Sequence, residues 1–66
     1  MPLIIFEGPT LEAAQKRELV RSFAEATSRV TGIDRQHVIV VIHQNDHDNV
    51  GVAGELLSDR LARETT

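Results

Sequence analysis

Two short apolar runs, LIIF at positions 3–6 and VIVVI at 38–42, flank a longer stretch in which apolar and polar residues alternate with helical spacing. Leu3 to Phe6 is apolar throughout and is bounded by Gly8 and Pro9, which predicts a strand covered on both faces, followed by a turn over Glu7 to Thr10. Pro2 has no N–H to give to a ladder, so it belongs at the first position of that strand or on an edge. From Leu11 to Thr31 the positions Leu19, Val20, Phe23, Ala26, Thr27 and Val30 recur every three or four residues, the stripe of an amphipathic helix. Gly32 is placed to stop that helix in a left-handed cap. Its outer face carries Glu12 with Lys16, Glu18 with Arg21 and Glu25 with Arg29, pairs that solvate the surface. Asp34 opens a tight turn before the β-branched run Val38 to Ile42, the second strand. HQNDHDN then reads as a polar loop, and NVGVAG as a tight hairpin or bulged strand. Glu55 to Glu64 forms a short terminal helix, with Asp59 and Arg63 at i, i+4 spacing.

Strand, long helix, strand is a βαβ unit, which places the chain in the α/β class with two parallel strands and a right-handed crossover. The whole of 1–66 is a single domain. A chain of 66 residues buries only roughly 60% of the surface its unfolded form exposes, and one helix covers only one face of two strands that are apolar on both. With no cysteine to staple it, oligomerisation is the remaining way to complete the fold. The net charge of −3, with both signs interspersed, leaves no basic footprint for nucleic acid and no polybasic membrane patch. Two phenylalanines and no Trp or Tyr leave little for stacking bases. The apolar start is too short for a signal peptide and no later run spans a bilayer, so a cytoplasmic protein is expected.

Chemistry enters at the first two residues. Met1 precedes a small residue, the usual circumstance for removal of an initiator methionine, and its loss gives Pro2 a free secondary amine. With Met1 retained the same nitrogen is an amide without a basic lone pair. His43 follows Ile39 and Val41 in alternation, so the three share one side of the second strand. His43 and His47 with Asp46 and Asp48 suggest a metal loop, but the i, i+4 histidine spacing serves zinc on a helix, and this stretch is a loop with no third strong ligand at a recognised interval. Neither a metal nor a cofactor is expected.

The Met-Pro start, the first strand, the EG turn, the long helix, the VIVVI strand and the NVGVAGELL ending resemble, in this order and over nearly the whole chain, the 4-oxalocrotonate tautomerase family, in its branch of short tautomerase-like proteins. The resemblance implies a βαβ protomer, dimers that pool their strands into one sheet, and a homohexamer built as a trimer of dimers. It also implies that the amine of Pro2 moves a proton between carbon and oxygen of an enol or dienol acid. The arginine that well-studied members carry after EG is replaced here by Pro9, and their second arginine aligns with Ile39. Their aromatic wall residue aligns with Val50, which makes the pocket less bulky.

A terminal amine has a reference pKa of about 7.7 to 8.0, suited to proton shuttling, and placement among Leu3, Ile39 and Val50 lowers it further by desolvation. Holding the acid and stabilising its enolate needs a donor, for which His43 and, from a terminal segment that in this family lies near a pocket between subunits, Arg60 and Arg63 are the candidates. The expected function is thus a tautomerase of small 2-hydroxy-dienoate or enol-pyruvate acids, with Pro2 catalytic and Ile39, His43, Val50, Arg60 and Arg63 binding a small carboxylate substrate. The missing arginines favour a monocarboxylate. A Pro-dependent hydratase or dehalogenase would need a water-activating group that the sequence does not reveal. A non-catalytic βαβ assembly module, with Pro2 as a simple strand start, is the alternative from a different class.

Overall fold

A computed structural model describes residues 1–64 of the chain. Its frame is a parallel pair, β1 (Leu3–Gly8) and β2 (Ile39–Gln44), in register from Leu3 opposite Ile39 to Gly8 opposite Gln44. The ladder continues past both ends: Ile39 N donates to Pro2 O at 3.0 Å and Asn45 N to Gly8 O at 2.7 Å. Each strand therefore runs two residues beyond its apolar run. The turn expected at Glu7 and Gly8 starts instead at Pro9, because a polar pair (Glu7 beside His43) and a small one (Gly8 beside Gln44) extend the pairing.

The crossover is α1 (Ala13–Thr31), about 28 Å long at 1.5 Å per residue. It begins two residues later than the periodicity predicts, since Leu11 N is held by Gln44 Oε1 at 2.9 Å and Glu12 takes the capping position, its N–H donating to Gln15 Oε1 at 2.9 Å. Gly32 closes the helix at φ 78°, donating to Ser28 O at 2.8 Å. Phe23 brings α1 onto the sheet, its ring 6.1 Å from that of Phe6. Space under the Phe6 ring is provided by Gly8, where a Cβ would stand 2.5 Å from a ring carbon. Leu19, Ala26 and Thr27 share the half-buried stripe, whereas Val20 and Val30 of the expected stripe are exposed. Asp34 accepts from Gln36 N and starts a single helical turn, Arg35–His37, that leads into β2.

A second turn, His47–Asn49, follows β2. The NVGVAG stretch then forms a hairpin of β3 (Gly51–Val52) and β4 (Glu55–Leu56), antiparallel and joined by Ala53 and Gly54. The terminal helix α2 (Leu57–Glu64) starts two residues later than expected because Glu55 and Leu56 are used by the hairpin. Leu57 N donates to Val50 O at 2.7 Å, which folds α2 back on the His47–Asn49 turn. Arg63 pairs chiefly with Glu55, and Asp59, its expected surface partner, adds a weaker coulombic attraction.

Alternation along the strands gives the sheet two different faces. Ile4, Phe6, Val40 and Ile42 lie on the helix side. On the other side Leu3 and Ile5 are 58% and 55% exposed, with Ile39 and Val41 beside them. Among the described residues none is fully buried, and none of the helices is long and apolar enough to cross a membrane.

Candidate active site

Pro2 opens β1 half-buried, its carbonyl fixed by the Ile39 N–H and its ring at a strand end where no ladder donor is required. Ile39 is therefore beside Pro2, on the open face next to Leu3. His43 lies at the opposite end of β2. Its Nδ1 is 3.1 Å from Glu7 Oε2, and Asn45 Nδ2 donates to Glu7 Oε1 at 3.0 Å. These two hydrogen bonds, that from Asn45 foremost, hold the Glu7 carboxyl below its ordinary range.

Arg60 and Arg63 project from α2 onto Glu55. The Arg63 guanidinium reaches both carboxylate oxygens, at 2.7 and 2.9 Å, and Arg60 Nε donates to Oε1 at 3.3 Å. The Arg63 fork, with Arg60 behind it, keeps Glu55 ionised below the usual carboxylate range, and Glu55 in turn raises Arg63. Both arginines are thus already engaged by a carboxylate of their own chain.

The main concavity, about 640 Å³, opens between the end of β1 and α2, a size within the range of small-molecule sites. Gly8, Pro9, Val50, Leu57 and Leu61 give it apolar walls, and Glu7, Asn45 and His47 its polar lining. Val50 is the expected site residue that lines it. Pro2 and Ile39 do not, since β1 separates Pro2 from Gly8 by about 20 Å of extended chain. Within one protomer Pro2 and the pocket are apart. Among the described residues no three His, Asp or Glu side chains are grouped to hold a metal.

Sequence reasoning missed Glu7, Asn45, Leu57 and Leu61. Glu7 was open to detection, because Leu3, Ile5 and Glu7 alternate as Ile39, Val41 and His43 do, and a parallel register aligns the two series. The leucines of α2 were not, since their place depends on how the hairpin folds back.

The sequence matches the family described as tautomerase enzyme over residues 2–60. Among solved structures it is similar to DmpI from Archaeoglobus fulgidus, 36% identical over 88% of this chain and 100% of that one, with a TM-score of 0.81. It is similar also to YwhB, a homologue of 4-oxalocrotonate tautomerase, at 32% identity over 88% of this chain and 97% of that one, TM-score 0.81. A further 4-oxalocrotonate tautomerase homologue is 30% identical over 89% of this chain and 95% of its own, TM-score 0.82. No curated protein matches the sequence.

Proposed function

The chain belongs to the tautomerase family, and from that premise we propose that it is a homo-oligomeric keto–enol tautomerase of small carboxylate-bearing enols, with the Pro2 amine as base once Met1 has been removed. The observation that carries this reading is Pro2 itself, the first residue of the family match, standing at the head of a strand whose outer edge is unpaired among the described residues. The amine takes the hydroxyl proton of the enol, the oxygen's electron pair closes the carbonyl, and the shifted double bond accepts the proton back at carbon. Nothing is oxidised or reduced.

The distance between Pro2 and the pocket is resolved by a second copy. Antiparallel pairing of β1 with the β1 of a copy must keep the two open faces on one side, so residues opposite each other share parity. A two-fold axis through Ile5 satisfies this and sets Pro2 of one chain opposite Gly8 of the other, at the pocket wall. The pooled sheet still exposes Leu3, Ile5 and Ile39 on one face, which further copies would cover, in keeping with a trimer of dimers. In this arrangement 1–66 acts as a single domain, Ile39 and Val50 contribute apolar surface, and His43, Arg60 and Arg63 act through the carboxylates they hold.

Intact mass together with ketonisation of phenylenolpyruvate and 2-hydroxymuconate tests the reading. Protein that lacks Met1 and ketonises either compound supports it. Cleaved, assembled protein inert toward both, or a chain that keeps Met1, favours the assembly module instead.

A further inference from the structure

Among the described residues, those that line the pocket include one acid, Glu7, and no arginine or lysine. Glu7 is clamped at both oxygens, by Asn45 Nδ2 at 3.0 Å and by His43 Nδ1 at 3.1 Å. The Nδ1 hydrogen bond forms with a neutral or a protonated imidazole, and the charge of His43 is the smallest of the causes that hold Glu7 ionised. Both bonds favour its ionised form. The guanidinium groups of α2 are turned onto Glu55. What the lining side chains offer an incoming anion is His47 and the second amide hydrogen of Asn45, enough for one carboxylate. The rest of the wall, from Pro9 and Val50 to Leu57 and Leu61, is apolar.

Taking this pocket as the substrate site, as the proposed function does, we propose that Glu7 determines its specificity by repelling a second carboxylate, so that the site accepts monoanionic acids with an apolar remainder and rejects dianions. This is a different cause from the missing arginines, which only withdraw attraction. A fixed anion at the pocket adds repulsion, and like charges brought together are an effective means of excluding the wrong partner.

Sorbate and muconate are suitable probes, being unreactive dienoates of equal length in which a methyl group on one replaces the second carboxylate of the other. Their Kd values, measured by NMR titration of the assembled protein, should differ by about tenfold or more in favour of sorbate. In Glu7→Gln the ratio should fall to about threefold or less through tighter muconate, with sorbate little changed. Glu7→Ala, which asks no amide to replace the carboxylate in the clamp, should move the ratio the same way. Muconate binding as tightly as sorbate in the wild type, absence of sorbate binding, or an unchanged ratio in both variants overturns the role of Glu7. Because binding needs no turnover, the ratio decides this even if ketonisation assays reject the tautomerase reading. Conversely, active protein with an unmoved ratio removes Glu7 alone.

Discussion

Pro2 is half-buried, its carbonyl is held by Ile39, and its ring gives up a donor only where the ladder has no place for one. Those facts suit a strand start as well as a base, so the residue itself must be tested. Pro2→Ala leaves a terminal amine after Met1 removal but replaces a rigid secondary amine by a flexible primary one. Ketonisation should fall about tenfold or more, a loss of roughly 1.4 kcal/mol in transition-state stabilisation, while the assembly seen by light scattering persists. Unchanged kcat/KM in that variant would reject Pro2 as the base. Loss of assembly along with activity would instead point to a structural part in opening β1.

At the scale of elements the arm made by β3, β4 and α2 carries two separable devices. Its turn uses Ala53 at φ 53° and Gly54 at φ 84°, the left-handed pair of a tight hairpin turn that Asn-Gly fits best. Alanine in that region carries a steric cost of about 1–2 kcal/mol that asparagine or glycine partly avoids, so Ala53→Asn should stabilise the protein by up to about 1 kcal/mol, read as a higher thermal midpoint with unchanged activity. An unchanged or lower midpoint would mean that the turn does not limit the arm. The second device is Glu55, which ties β4 to α2 through Arg63 and Arg60. Its carboxyl is depressed in the folded state chiefly by Arg63. A depressed acid contributes its stability above the unfolded value, about 4.3, and loses it as pH falls through the lower folded value. Protection of the α2 amides, taken relative to their intrinsic exchange rate at each pH, should therefore fall as the solution is acidified, and in Glu55→Gln it should already be reduced at neutral pH. How far each element was legible follows from the range of the interactions that set it. The stripe through Leu19 and Phe23 and the stop at Gly32 are local and were readable. The final two residues of each strand were not, because Glu7 and His43 are paired across 36 positions of sequence. Likewise Arg60 and Arg63 read as candidate substrate anchors, Arg63 also as a surface partner of Asp59, until the hairpin brought Glu55 between them, and the left-handed Ala53 contradicts local preference outright.

For the molecule as a whole the protomer is too open to stand alone. Its radius of gyration is 15.7 Å and it measures 46 × 24 × 15 Å, whereas a compact chain of this length would have a radius near 11 Å, by the usual scaling of about 2.2 Å times length to the power 0.38. Leu3 and Ile5 remain more than half exposed, and covering such side chains contributes about 1.5–3 kcal/mol each when complete. Association should therefore be strong at micromolar concentration. It should also be chemically necessary, because Pro2 and the pocket stand at opposite ends of β1. If each site combines the amine of one chain with the pocket of another, two impaired variants can repair each other. Pro2→Ala loses the secondary amine and Leu61→Trp fills the pocket, so each assembly alone should ketonise at about a tenth of the wild-type rate or less. When the two are unfolded together in equal amounts and refolded, a chain of the second kind supplies an intact Pro2 to an intact pocket of the first. With random two-fold pairing about a quarter of the sites then become wild type. Ketonisation recovering toward that fraction, with KM at the wild-type value, would establish a shared site. If mixed assemblies form, as native mass spectrometry can verify, and no activity returns, then amine and pocket belong to the same chain and the two-fold pairing through Ile5 is wrong.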